Sequence, residues 1–385
     1  MKKSFFYPII SSACIFIVCS SFFLVTKSKY KKELSSRLSY TKKRDLAVPS
    51  DIEPDQNVLL PRRLSSLRSG EELGIVVDVK KISIRNVYPY NPTLIRKQNG
   101  YDLFFRYDEI SVGSKVGSYF ANIGVVHLDE NFEQGIEEFK RIALTTRYAE
   151  DPRLIELGDD LYVFYNDIDI NRASDRTMCV ARLDRETYEV KYTTTLDLNL
   201  AYSEKNWVPF EYVDKQQQSH LLLEYRLQPR KLFELLDPTL NEIRNINLPR
   251  DVAFHDLNWS SFWGEIRGGA PAQKEGNEYL GFFHSSFVDK GIRWFTIGAY
   301  MFEGEYPFRL TKVSPYPILF KGLYDTKIMH TAAHNKRVIY PCGFVFEKQG
   351  DKTYIKLACG ENDCGVKVLT INKDELIQGM VQIEN

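Results

Sequence analysis

The stretch Glu150-Asp151-Pro152-Arg153 sets two carboxylates and a guanidinium around a proline. A carboxylate beside a cation is an arrangement that proton-transfer chemistry uses, because the neighbouring charge sets its protonation state. The next residues, RLIEL and LYVFY around Gly158-Asp159-Asp160, read as strand, turn, strand, so the charged cluster lies at a strand entrance. Side chains alternate along an extended strand, which predicts Glu150 and Asp151 on opposite faces. An Asp before Pro is more often a turn former than a catalyst. The stretch therefore has to be weighed by what converges on it.

Related segments recur along the chain. Each places a proline ahead of a polar turn and an apolar strand, at Pro92, Pro152, Pro209, Pro271 and Pro341, with intervals of 60, 57, 62 and 70 residues. Further strand-like sequence follows each segment, giving about four strands per repeat, and four-stranded sheets repeated radially form a β-propeller. The pattern predicts an all-β, five-bladed β-propeller over residues 76–385. Residues 131–143 (NFEQGIEEFKRIA) are the one tempting amphipathic helix.

In a propeller the innermost strands line a central channel, so blade entrances and strand ends face one cavity. Entrances then contribute Asn91, Lys205, Asn206, Trp207 and Arg267 beside Glu150, Asp151 and Arg153; strand ends contribute Arg106, Asn166, Arg226 and His284, and a turn contributes Asp363. One or two carboxylates among several cations suit a sugar next to a phosphate or carboxylate. Singly, each residue has a plainer reading: His284 as a satisfied half-buried histidine, Arg106 and Arg226 as salt bridges between blades.

Other chemistries find little support. The 51 basic and 51 acidic residues cancel, so no overall field favours nucleic acid. There is no glycine-rich nucleotide loop opening a helix, no G-x-S-x-G and no H-E-x-x-H. Asp167-Ile168-Asp169 matches the D-x-D of metal-dependent sugar-nucleotide transferases, but so short a match arises readily by chance, and neither metal nor cofactor is expected. Cys179, Cys342, Cys359 and Cys364 lack zinc-like spacing; Cys359 and Cys364 either pair in an oxidising compartment or stay free.

Residues 5–25 carry no charge and are flanked by lysines on both sides, long enough for one membrane-spanning helix. Residues 1–26 are therefore expected to be a retained single-pass anchor rather than a cleaved signal, followed by a stem over residues 27–75. The excess of basic residues after the span would keep the body in the cytoplasm, although a large following domain can still be exported.

Taken in order, EDPRL, EKNWVPF, EIRGGAP, YLGFFHSS and VIYPCGFVF…YIKLACGENDCGVKVLTI resemble the inverting β-mannoside phosphorylases and hydrolases and the related β-mannosyltransferases, which share a five-bladed propeller. The resemblance covers residues 91–376. It implies that Asp151 is the proton donor, acting in the phosphorylases through a sugar hydroxyl while phosphate attacks the anomeric carbon from the opposite face. A single carboxylate then suffices, because phosphate needs no base. The resemblance further implies that Arg153 holds the mannoside and tunes Asp151, that Lys205, Arg226 and His284 surround phosphate, and that Arg106, Arg267 and Asp363 line the sugar site.

One position departs from the phosphorylases. Where they tend to carry a tyrosine reaching phosphate, this chain has Phe295, and its aromatic-rich EKNWVPF and WGEIRGGAP are closer to the transferases. The expected function is an inverting, membrane-anchored β-mannosyltransferase using a sugar nucleotide or mannose 1-phosphate and a mannose-containing glycan or glycolipid acceptor. The alternatives are a β-mannoside phosphorylase or glycoside hydrolase, and a non-catalytic glycan-binding propeller.

Overall fold

The computed structural model describes residues 58–110, 119–144, 146, 148–168, 176–196, 198, 200–201, 203, 205–328 and 335–384. The expected anchor and the stem up to residue 57 lie outside the described residues. Among the described residues no helix is long and apolar enough to cross a membrane. Residues 58–75, expected as the end of the stem, lie against the propeller: Leu64 is fully buried, and the Gly70 N–H donates to the Leu319 carbonyl at 2.7 Å.

Strand β1 (Val76–Ile82) precedes the first blade, which holds β2 (Tyr90–Lys97), β3 (Gly100–Ile110), β4 (Tyr119–Leu128) and β5 (Lys140–Arg141). Blade two holds β6 (Glu150–Leu157), β7 (Asp160–Ile168), β8 (Arg176–Leu183) and β9 (Val190–Leu196). Blade three holds β10 (Val208–Val213), β11 (Ser219–Arg226), β12 (Lys231–Asp237) and β13 (Glu242–Ile246). Blade four holds β14 (Glu265–Glu275), β15 (Glu278–Asp289), β16 (Ile292–Glu303) and β17 (Leu310–Val313), with β18 (Lys336–Arg337) running parallel along β16. Blade five holds β19 (Ile339–Gln349), β20 (Lys352–Glu361) and β21 (Gly365–Asn372); β1 is its outermost strand, antiparallel to β21, and β22 (Val381–Gln382) pairs with β17. The five-bladed, all-β propeller read from the repeats is the fold.

The five inner strands β2, β6, β10, β14 and β19 close into a ring by successive contacts. Alternation leaves one face of each blade to pack on its neighbour, so Phe104 and Ile123 of blade one share a core with Val163 and Tyr165 of blade two. Between blades three and four, Phe210 stacks edge-on against Tyr279 and Phe302.

Register shifts between Tyr90 and Thr93, Glu150 and Arg153, Ala270 and Gln273, and Pro341 and Gly343 put four of the repeat prolines at β-bulges. A bulge tolerates the missing N–H. Residues 131–143 are not a helix but turns leading to β5. The Asp129 side chain accepts the N–H groups of Asn131 and Glu133, and Phe132, at φ +60°, stacks on Tyr101. These local bonds offer the backbone an alternative to the helix. Cys179, Cys342, Cys359 and Cys364 are buried, and no disulfide joins them to one another.

Candidate active site

The bulge at the start of β6 decides how the two acidic side chains point. Asp151 has φ +56°, a left-handed conformation that Asp and Asn tolerate better than most residues, and Asn91 repeats it at +45° before its own proline. The turn breaks the alternation of a regular strand. Glu150 and Asp151 consequently converge on one cation instead of facing apart: Arg106 NH2 is 2.8 Å from Glu150 Oε1, and Arg106 NH1 is 3.4 Å from Asp151 Oδ1.

Asp151 is 9% exposed. Its Oδ1 accepts a 2.7 Å hydrogen bond from Asn91 Nδ2, whereas among the described residues Oδ2 has only a long 3.5 Å contact from Asn166 Nδ2. Burial pushes the carboxyl up, but Arg106, the Asn91 amide, Arg153 and Lys205 outweigh it and hold Asp151 below the ordinary carboxylate range. Glu150 goes the other way: burial raises it despite Arg106 and Arg176, and the charges of Asp151 and Asp108 add to the rise.

Arg153 is fully buried and reaches across the channel from blade two to three other blades. Its Nε donates to the Gly269 carbonyl at 2.9 Å, NH2 donates to Asn206 Oδ1 at 3.4 Å and to the Tyr340 hydroxyl, and NH1 reaches back to the Asp151 carbonyl at 3.3 Å. The guanidinium thus fixes the floor of the site, leaving its charge to act on Asp151 through space. Tyr340 completes the floor, donating to Asn206 Oδ1 at 2.7 Å.

His284 is buried beside this floor, edge-on to Tyr340 with ring centroids 4.6 Å apart. Burial and the charges of Arg153 and Arg267 depress its pKa to about 3, so the ring is neutral at ordinary pH. Its Nδ1 lies 3.1 Å from the Gly268 carbonyl, which can only accept, so Nδ1 carries the proton and Nε2 presents a lone pair.

The remaining candidates sit farther out. Lys205 is exposed and acts on Asp151 by charge alone. Arg267 is exposed, opposite His284 in the β14–β15 ladder and 3.3 Å from Glu265. Asp363, at φ +55° in the β20–β21 turn, is half-buried and its charge reaches Tyr90, whose hydroxyl donates to Asp108 beside Arg106. Arg226 is exposed at the end of β11, its guanidinium 5.8 Å from the Tyr225 ring centroid. The structure thus joins Asn91, Arg106, Arg153, Asn206 and His284 to Asp151 through one chain of contacts, with Lys205, Arg267 and Asp363 coupled by charge and Arg226 outside it.

The sequence reading did not single out Tyr340 for the site. A signal was present, because Tyr340 precedes Pro341 as Asn91 and Asp151 precede their prolines. The Phe295 ring stacks at 6.1 Å from His284, so the position lacking a hydroxyl does border the site. Asp167 accepts from Thr146 Oγ1 and from the Ile168 N–H, while Asp169 lies outside the described residues. Two cavities lie away from Asp151. One of about 310 Å³ opens among the later residues of the inner strands, and another of about 260 Å³ lies between residues 68–75, 314–319 and 375–379. The bonding network, not cavity size, therefore locates the site.

A family model described as beta-1,4-mannooligosaccharide phosphorylase matches residues 63–382. No curated protein matches the chain. The beta-1,2-mannobiose phosphorylase from Listeria innocua, solved with beta-1,2-mannobiose, superposes with a TM-score of 0.52 at 13% identity, covering 81% of this chain and 98% of that one. A glycosyl hydrolase from Bacteroides ovatus gives a TM-score of 0.52 at 14% identity, covering 87% and 97%. These two likenesses establish a shared fold.

Proposed function

The chain belongs to the beta-1,4-mannooligosaccharide phosphorylase family and is a carbohydrate-active enzyme; from that premise we propose that it transfers mannose to form a β-mannoside with inversion. The carrying observation is the setting of Asp151, whose buried Oδ1 takes the Asn91 amide at 2.7 Å with the Arg106 guanidinium 3.4 Å away. Three cations hold it below the ordinary carboxylate range, hence ionised in the free enzyme and fit to accept a proton.

In the proposed step the acceptor hydroxyl oxygen attacks the anomeric carbon of an activated mannose. Asp151 takes the hydroxyl proton, and the bond to the phosphate leaving group breaks on the opposite face. Arg226 and Lys205 offer exposed cations for the phosphate, as the resemblance implies; His284, implied beside the phosphate, is neutral and its Nε2 suits a sugar hydroxyl instead, while Arg267, implied at the sugar site, adds an exposed cation opposite it. Arg106, Asn91 and Asp363 belong on the sugar side, with Arg153 and Asn206 holding the floor. Phe295 supports synthesis, since it offers no hydroxyl for free phosphate.

The second reading is phosphorolysis of a β-mannoside, favoured by the description of the matched family. Product analysis with GDP-mannose plus a manno-oligosaccharide acceptor, mannose 1-phosphate plus the same acceptor, and β-mannobiose plus phosphate separates the two. Elongated acceptor from GDP-mannose, with no mannose 1-phosphate from the third incubation, is the expected outcome; mannose 1-phosphate formed from β-mannobiose and phosphate, with or without the reverse elongation in the second, would replace synthesis by phosphorolysis, and no product from any would favour a glycan-binding propeller.

Residues 1–26 anchor the protein in a membrane under the same proposal, supported by the uncharged span of residues 5–25. Removing residues 1–30 should release a folded protein into the supernatant, and persistence in salt-washed membranes would refute a single anchor.

A further inference from the structure

We infer that Glu150 is a positioning residue that shares the charge of Arg106 with Asp151 and so sets the strength of Asp151 as a proton carrier. The inference rests on the proposed role of Asp151, but its first test does not. Glu150 is the junction of two guanidinium groups. Arg176 donates NH1 to the Tyr148 carbonyl at 2.7 Å and NH2 to Glu150 Oε1, so it is tied away from Asp151. Arg106 is the group that bridges the two carboxylates, and its contact with Glu150 is the shorter by 0.6 Å, the difference between 3.4 and 2.8 Å. Its remaining contacts are Asp108 Oδ1, 3.5 Å from Nε, and the Tyr90 ring, 4.7 Å from the guanidinium carbon.

Besides Arg106, the groups facing Asp151 are Arg153 of its own strand and, from other elements, the amides of Asn91 and Asn166, the cation Lys205, and the uncharged His284, Tyr340 and Cys342. None of these contacts Glu150 through a described side chain–side chain hydrogen bond or ion pair. A change in the charge of Glu150 therefore reaches Asp151 by two routes, the direct repulsion between the carboxylates and the division of Arg106. Both act in one direction. Without the Glu150 charge, repulsion disappears and Arg106 is free to close on Asp151, stabilising its ionised form and making it a weaker base. Arg176 gives the opposite control, because loss of its charge leaves Glu150 to draw on Arg106 alone.

The test is an infrared carboxylate titration of the free full-length protein, with the Asp151 band assigned by difference from Asp151→Asn. Glu150→Gln should move that titration to lower pH by about one unit, within the range typical of a neighbouring opposite charge. Glu150→Asp should restore it, and Arg176→Gln should move it upward. An unmoved band in Glu150→Gln, or equal displacement in Glu150→Asp, would overturn the inference. If Glu150→Gln fails to fold, Arg176→Gln decides alone by the sign of its shift. In the donor assay that yields product, the limb of the pH profile belonging to Asp151 should follow the band. A displaced band without a displaced limb would retain charge sharing but reject Asp151 as proton carrier.

Discussion

Glu361 and Asp151 are both carboxylates buried in the propeller, and their oxygens are used differently. Glu361 Oε1 accepts the Tyr324 N–H at 2.6 Å, Oε2 accepts the Thr326 N–H at 3.0 Å, and Lys367 Nζ stands 3.0 Å away. Its neighbour Asn362 donates to the carbonyls of Tyr324 and Thr326 and accepts from the Val338 N–H. Both oxygens of Glu361 are committed to holding residues 324–326 against blade five. Asp151 has one oxygen firmly held and the other with only its long contact to Asn166, among cations drawn from several elements. Burial raises Glu361 despite Lys367 and the Thr326 hydrogen bond, whereas the cations around Asp151 bring it below the ordinary range. A buried carboxylate with all its valences used supports structure; one left partly unsatisfied beside excess positive charge is equipped for chemistry.

The contrast is easiest to break at its two poles. Asp151→Asn keeps the shape but cannot carry a proton, so turnover should fall by about 10²–10⁴, with an unchanged circular dichroism spectrum. Near-parental turnover would remove Asp151 from the chemical role. Glu361→Ala leaves buried Lys367 with only Asp325 as counterion among the described residues, and should cost about 3–5 kcal/mol of stability, read as a lowered denaturation midpoint. An unchanged midpoint would show that the Glu361 network is dispensable.

Two smaller effects sharpen the comparison. Arg226→Ala should weaken affinity for a phosphorylated donor roughly ten- to a hundredfold, the worth of a charge-assisted contact, while leaving the fold intact; unchanged affinity measured by calorimetry would locate the phosphate elsewhere. His284 titrates near 3 when folded and near 6.5 when exposed, so the unfolded chain binds the extra proton between those values. Its contribution to stability is full above pH 6.5 and declines as pH falls toward 3, by at most about 1.4 kcal/mol per pH unit. Denaturation of His284→Gln across that window should show a flatter slope than the parent.

The propeller was legible because each blade begins with the same local device, a proline ahead of a hairpin, set at a bulge in four of the five blades, and local devices leave a trace at a near-regular period. The partner of β1 left no such trace, since its pairing with β21 depends on ring closure and not on neighbouring residues. Among site residues, Asp151, Asn91 and Arg153 were legible from their place in the repeat. So was the nearness of Glu150 to the cavity, but not its meeting Asp151 on one cation, because a left-handed residue at Asp151 overrides the alternation that sequence arguments assume. Nor did 131–143 reveal itself as turns, since its apolar spacing fits a helix while the deciding bonds come from Asp129 and Tyr101.

The pairing of Val76–Ile82 with residues 366–371 gives the protein a particular order of assembly. During synthesis the segment that completes the last blade leaves the ribosome before all the other propeller strands and must wait for its partner β21 until nearly the whole remaining chain is made. Loop-closure entropy makes such distant pairing slow. The waiting edge carries Asp78, Lys80 and Lys81, charges that discourage pairing with another nascent chain. Once latched, the circle has no free starting blade from which to unravel, so opening must begin by breaking this one seam or by distorting several blades together.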